Sequence, residues 1–315
     1  QSLNADRLAE FPRDAFEVVV VDEFHHAEAA SYRRLLEHVE PKELLGLTAT
    51  PERADGIDVR DFFDKRAAYE LRLWDALDAD LLSPFHYFGI ADNTDLSTVD
   101  FRSGRYDVGQ LSGILTGDDA RTRLILKELQ RKVAAPHSMR ALGFCVSVAH
   151  AQYMAQKFTE AGLPSRAVHG TTPRDERRQA VRDLTERKVV ALFTADLFNE
   201  GIDIPAVDTV LFLRPTESST IFLQQLGRGL RRTADKAVLT VLDFVGHQRQ
   251  EFNLSQRYRA ITGGTRKALE KQVEKGFPYL PAGSQIILDD VTQRQVLEHV
   301  RRQLRTTWRL LTQEL

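Results

Sequence analysis

Four consecutive valines, Val18–Val21, run directly into two carboxylates, Asp22 and Glu23. A run of β-branched residues with no polar interruption reads as a strand buried on both faces, which is the habit of parallel sheets in α/β proteins. In open α/β sheets, ligands bind beyond the carboxyl ends of the strands, so the residues that follow the valines are candidates for chemistry. The rest of the chain repeats this grammar. Leu44–Thr48, Gly143–Ser147, Val189–Phe193, Val207–Leu213 and Val238–Asp243 read as further short strands. Helical stretches separate them. Ser31 is a candidate cap for a helix through Leu35 and Leu36, and Ala151, Met154, Ala155 and Phe158 recur at helical spacing until Gly162 and Pro164. Thr172-Pro173 opens another helix with Ala180, Val181 and Leu184 inward. The pattern predicts an α/β fold with parallel sheets.

With 315 residues and 42% hydrophobic content, the chain can bury two cores. It divides into 1–82, a linker with a small β excursion over 83–120, a strand-and-helix domain over 121–247, and a mostly helical C-terminal segment over 248–315. A net charge of -2 leaves no global cationic field, so any nucleic-acid contact must be local. The lone Cys145 excludes an internal disulfide framework and a cysteine-rich zinc module, and a reducing cytoplasm fits. Apolar runs are too short to span a membrane. The start, Gln1-Ser2-Leu3, has neither a signal-peptide pattern nor a methionine, which points to a fragment.

Four motifs carry chemistry. In Asp22-Glu23-Phe24-His25, paired carboxylates at a strand end suit a nucleoside triphosphate. Asp22 would hold Mg2+ through water, Glu23 would activate the attacking water, and His25 would couple the site to the other domain. Thr48-Ala49-Thr50-Pro51 puts two hydroxyls, of Thr48 and Thr50, at a second strand end, within reach of the carboxylates. In Thr194–Pro205, Thr194 suits a nucleic-acid phosphate, Gly201 permits a tight turn, and Asp203 suits the ribose or the arginines. In Gln224-Gln225-Leu226-Gly227-Arg228-Gly229-Leu230-Arg231, Arg228 and Arg231 would share a helix face and meet the charge developing on a phosphoryl group. Each motif taken alone also fits a plainer structure: polar turns for the first three, a solvated basic helix end for the fourth. Their order along the chain favours the chemical reading.

These residues resemble superfamily 2 helicases of the DEAD/DEAH type. In that resemblance Asp22–His25 is motif II, Thr48–Thr50 motif III, Phe144–Ser147 motif IV, Thr194–Pro205 motif V and Gln224–Arg231 motif VI. Val168-His169-Gly170 matches a loop that approaches the nucleic-acid backbone. The resemblance runs from about Val18 to Val245. It implies two RecA-like lobes, the first truncated here, with ATP and Mg2+ bound between them and a single-stranded or partly duplex nucleic acid, DNA by preference, crossing both. It assigns Ser147, Gly170 and Thr194 to phosphate contact. Asp203, Gln224, Arg228 and Arg231 fall on the ATP side. The stretches 84–89 and 276–281 are similar to bacterial helicases that carry a further C-terminal domain, some of which also have a nuclease domain.

The chain departs from the family at Phe24, where the commonest box has a small residue, and at Gln225, where many relatives have Arg. It also contains no Gly-x-x-x-x-Gly-Lys-Ser/Thr loop. The family has that loop well upstream of motif II, so the expectation is a first lobe lacking its opening strands and its phosphate grip. Three functions stay open: an ATP-dependent helicase or translocase, a binding or regulatory module without turnover, and the motor subunit of a restriction or defence nuclease. The arginine-rich C-terminal stretch, including Arg257, Arg259 and Arg301, is either a nucleic-acid path or a solvated helical face; charge runs favour the second.

Overall fold

A computed structural model describes residues 5–24, 30–48, 59–195, 204, 207–216, 218–249, 252, 254–263 and 266–313. The chain forms two compact units, Gln1–Glu70 and Leu71–Leu315. The division falls at Glu70 and Leu71, upstream of the 82/83 boundary read from the sequence.

In the first unit, α1 (Ala5–Ala9), β1 (Val18–Val21), α2 (Ala30–His38) and β2 (Glu43–Gly46) precede a 3₁₀ turn at Val59–Phe63. Helix α2 starts one residue before Ser31. β1 and β2 pair in parallel, Val18 opposite Glu43 and Val21 opposite Gly46. Val21, Phe24 and Val59 form a small core, with Val19, Leu36, Leu44 and Phe63 packed on it. Val18 and Val20 are 59% and 55% exposed, whereas Val21 is buried. Successive side chains alternate faces, and among the described residues the packed layer lies on the face carrying Val19 and Val21. Arg13 closes the end of α2, donating from Nε to the His38 carbonyl at 3.2 Å and from Nη2 to that of Glu37 at 3.1 Å.

The second unit begins with α3 (Leu73–Asp78), β3 (Phe85–Asp95), β4 (Phe101–Arg102), β5 (Arg105–Tyr106), α4 (Val108–Leu115), α5 (Asp119–Lys132), β6 (Ala141–Phe144) and α6 (Val148–Glu160). It continues with β7 (Ser165–Val168), α7 (Arg174–Thr185), β8 (Ala191–Thr194), β9 (Thr209–Phe212), α8 (Ser219–Leu230) and β10 (Leu239–His247). Helices α9 (Leu254–Thr262) and α10 (Arg266–Glu274), β11 (Gln285–Leu288) and α11 (Asp290–Gln313) complete it. Seven strands form one sheet in the order β11-β3-β10-β9-β6-β8-β7, every adjacent pair parallel. One row crosses the whole sheet near its carboxyl edge: Val168, Thr194, Phe144, Phe212, Asp243, Gly89 and Leu288.

The sheet is covered on both faces. Leu142, Leu192, Val210 and Val241 pack with Leu184 of α7 and with Phe222 and Leu226 of α8. Ala141, Phe193, Leu211 and Leu242 pack with Ile125 and Leu129 of α5 and with Met154 and Phe158 of α6. This layering explains the strands with no alternation, such as β6, β8 and β9, where every residue is buried.

The segment read as a linker contains β3, eleven residues long, set between β10 and β11 with Phe85 and Tyr87 fully buried. Pro84 and Gly89 made it look irregular. A Cβ at Gly89 would lie 2.6 Å from the Leu288 side chain, so the glycine marks a close strand contact. The C-terminal segment is mostly helical, and it also supplies the edge strand β11.

Candidate functional site

In the first unit the parallel pairing of β1 and β2 brings motif II and motif III to one edge. Leu47 N–H donates to Val21 O at 2.9 Å, and Phe24 N–H donates back to Leu47 O at 2.8 Å. Asp22 and Glu23 therefore lie beside the strand end that leads to Thr48. The Glu23 N–H donates to Asp22 Oδ1 at 2.9 Å. Glu23 has φ +52°, a left-handed conformation uncommon outside glycine. Phe24 holds it there, fully buried, with ring centroids 4.9 Å from Phe63 and 5.5 Å from Phe62. The aromatic that departs from the family box is thus the anchor of this turn. His25 and Thr50 lie outside the described residues, as do Gly201 and Asp203.

In the second unit Ser147, Gly170 and Thr194 follow or end the neighbouring strands β6, β7 and β8, all on the carboxyl edge. Ser147 caps α6, its Oγ accepting from His150 N–H at 3.1 Å, and it contacts Ser112 Oγ at 2.7 Å. A helix N-terminus is a natural anion seat. Gly170 is exposed, and a Cβ there would meet nothing within 4 Å, so the fold itself does not demand a glycine. Thr194 differs from its expected role. Its side chain is fully buried, and its hydroxyl has no hydrogen-bond partner among the described residues. It is a strand-end core residue and presents no hydroxyl to solvent.

Helix α8 carries Gln224 and Arg228, both half-buried, and starts at Ser218, whose Oγ accepts from Ile221 N–H at 3.4 Å. Arg231 does not share a helical face with Arg228. The helix ends at Leu230, and Arg231 is extended, with φ -63° and ψ 136°. It forms an antiparallel bridge with Leu82, and Ser83 donates from its N–H to Leu230 O at 2.7 Å and from its Oγ to Arg231 O at 3.1 Å. The Lys236 ammonium closes the helix end, donating to Gly229 O at 2.8 Å and Val207 O at 3.1 Å. Burial lowers its pKa to about 8. Beside Ser147, burial lowers the His150 pKa to about 3, helped by the Arg121 charge, so the imidazole is neutral.

Sequence reading missed two buried ion pairs. Arg257 of α9 pairs with Asp243 of β10, and Tyr87 donates its phenol to the same carboxylate. Burial, then the Asp243 charge, pushes the Tyr87 and Tyr258 phenols upward. Arg257 also donates to Thr216 O at 3.3 Å, two residues before the cap of α8. An aspartate inside the apolar run Leu239–Val245 was the available signal, since such a charge demands a partner. Arg121 of α5 pairs with Asp92 at 2.6 Å and donates to Leu213 O at 3.0 Å. Arg257 therefore leaves the supposed basic surface for the core, and Arg301 pairs with Glu270 at 2.8 Å and Glu274 at 2.5 Å. Neither faces solvent as an unpaired cation.

A parallel sheet covered on both faces, with a helix cap and a glycine loop at its carboxyl edge and the arginine-bearing helix α8 packed on one face, defines a RecA-like lobe. The comparisons agree. Residues 122–233 match the family described as helicase conserved C-terminal domain, and residues 1–53 match the type III restriction enzyme, res subunit. The protein named "Putative ATP-dependent helicase IRC3" of Saccharomyces cerevisiae is 28% identical over 246 residues, covering 76% of this chain and 35% of its own length. A fragment of an HsdR-type subunit of a type I restriction enzyme from Vibrio vulnificus YJ016 has a TM-score of 0.62 at 23% identity. That likeness covers 79% of this chain and 46% of the other. The ATP-dependent type ISP restriction-modification enzyme LlaBIII, bound to DNA, has a TM-score of 0.63 at 16% identity, covering 94% and 23%. The two structural likenesses show the fold alone. These matches support a superfamily 2 helicase-type protein. It spans from about a third to about half the length of the first curated relatives it matches. Among the described residues, no helix is long and apolar enough to cross a membrane.

Proposed function

We propose that this chain is part of an ATP-dependent nucleic-acid motor, a helicase or translocase working on DNA, which hydrolyses ATP between two RecA-like lobes. The observation that carries the reading is the hydrogen bond from Phe24 N–H to Leu47 O, which sets Asp22 and Glu23 beside the strand leading to Thr48. In this reading Glu23 orients and deprotonates the attacking water. Thr48 and Thr50 sense the terminal phosphate, and His25, Gly201, Asp203 and Gln224 couple the nucleotide to the strand track. Arg228 meets the charge that develops on the transferring phosphoryl group, and Arg231 contributes from the extended segment beyond the helix. Ser147 and Gly170 contact nucleic-acid phosphates, and Thr194 ends the neighbouring strand β8 on the same carboxyl edge.

Mg2+ would be held by one carboxylate and by the nucleotide's own oxygens, with Asp22, exposed at its strand end, as the protein's contribution. The ion would neutralise phosphate charge and leave Glu23 free for the water. The setting proposed is the cytoplasm.

The test is ATPase activity of the full-length protein with and without single-stranded DNA, RNA and duplex. Stimulation by DNA is expected, and Glu23→Gln should bind ATP without turning it over. Turnover that persists in the Gln variant removes Glu23 from the role of base. No ATPase under any condition favours a binding module. A second reading, the motor subunit of a restriction or defence nuclease, is favoured by the match of residues 1–53 to the type III restriction family. Co-purification with a nuclease subunit would support it.

A further inference from the structure

The β4–β5 hairpin holds two arginines directly opposite each other. Phe101 pairs with Tyr106, and Arg102 pairs with Arg105, across the turn at Ser103 and Gly104. Those turn residues have φ +50° and +77°, the left-handed pair that a two-residue hairpin needs. Alternation puts Phe101 and Tyr106 on one face and both arginines on the other.

The aromatic face is fastened. The Phe101 and Tyr106 rings meet edge-on at 4.9 Å, and Tyr106 is buried. The Tyr106 hydroxyl donates to Gln248 Oε1 at 3.0 Å and accepts from Arg249 N–H at 2.8 Å. The arginine face is open. The Arg102 side chain is 87% exposed, with its acidic neighbour Asp100 at 3.7 Å, and Arg105 is exposed with no ion pair among the described residues. Like charges placed directly across a strand pair are destabilising. Nothing in the packing of this hairpin calls for two guanidinium groups at its tip, and the chain as a whole is slightly acidic. A rigid base with a cationic tip suits a polyanion, since each guanidinium fork matches phosphate oxygens.

The hairpin also stands in the right place. Leu96 N–H donates to His247 O at 2.9 Å, tying the segment between β3 and the hairpin to the carboxyl end of β10. Helix α4, which follows the hairpin, touches the cap of α6 through Ser112 and Ser147. We propose that Arg102 and Arg105 grip two backbone phosphates of the nucleic-acid strand that passes Ser147, so that the binding track extends onto this hairpin. The proposal rests on the motor reading above.

Fluorescence anisotropy of the full chain with labelled oligo-dT and oligo-U, across a salt series, tests it. The two oligonucleotides distinguish DNA from RNA as the source of the phosphates. Arg102→Ala with Arg105→Ala should weaken binding roughly tenfold, and should flatten the slope of log K against log salt by about 1.4, at about 0.7 per phosphate lost. Arg105→Glu should weaken binding as much while leaving Tm unchanged or higher, because it turns a repulsive cross-strand pair into an attractive one. Wild-type binding with an unaltered slope in the double variant overturns the hairpin contact alone. A Tm that falls together with binding in Arg105→Glu overturns it too, by making the arginines structural. A wild-type chain that binds neither oligonucleotide overturns the motor reading and this proposal together.

Discussion

Arg257 of α9 and Asp243 of β10 form a fully enclosed ion pair, on which Tyr87 of β3 also converges. The C-terminal segment is therefore built into the second unit's core. Removing one partner strands a charge away from water. Asp243→Ala should cost about 3–5 kcal/mol of unfolding free energy. The double change Asp243→Leu with Arg257→Met should cost clearly less, since no buried charge remains. Urea unfolding midpoints of the single and double variants check this, and equal losses would refute a pairing role.

Two glycines on α8 separate by packing. A Cβ at Gly227 would meet nothing within 4 Å, so Gly227→Ala should stabilise the protein by about 0.5–1 kcal/mol through helix propensity. A Cβ at Gly229 would lie 2.4 Å from Leu239 Cδ1, and Leu239 is fully buried. Gly229→Ala should destabilise by about 1–3 kcal/mol, the usual range for overpacking. Thermal melts of the pair should move in opposite directions.

His150 should make the protein acid-sensitive. Its folded pKa is lowered to about 3 by burial, with Arg121 adding to the effect. The unfolded chain binds this proton near pH 6.5, and the folded chain resists it. Stability is thus fully present above pH 6.5 and declines as pH falls from there toward 3. Denaturant midpoints measured over that window should slope downward, and His150→Gln should flatten the slope. An identical slope in the variant would assign the acid loss to other groups.

Arg228→Ala should lower ATPase turnover by roughly 10³-fold while leaving nucleotide affinity nearly intact, the signature of a group that acts in the transition state. Because Arg231 stands on extended backbone beyond the helix, Arg231→Ala should be separable from it, with its own ratio of kcat to KM effects. Nucleotide-binding titration beside steady-state kinetics checks both; an equal collapse of binding would make Arg228 a ground-state contact.

What the sequence determined by itself was the local grammar. Apolar runs such as Ala191–Thr194 and the spacing of Ala151, Met154 and Phe158 specify strands and helices because burial on two faces or on one stripe is written into residue order. The same order set Asp22-Glu23, Thr48 and Ser147 within three residues of the ends of β1, β2 and β6, and parallel pairing then gathered them on carboxyl edges. The tertiary structure decided what depends on distant partners. β3 joined the sheet in spite of Pro84 and Gly89, because β10 and β11 supply hydrogen bonds on both of its sides. Val21 was buried because Phe24 and Val59 pack on its face of the two-stranded sheet. Arg257 was drawn from an expected surface into the core by Asp243, fourteen residues away, and Arg231 left its helix because Leu82 and Ser83 pair with that backbone. A side chain's identity fixes what it can bond, but only the fold fixes what comes within reach.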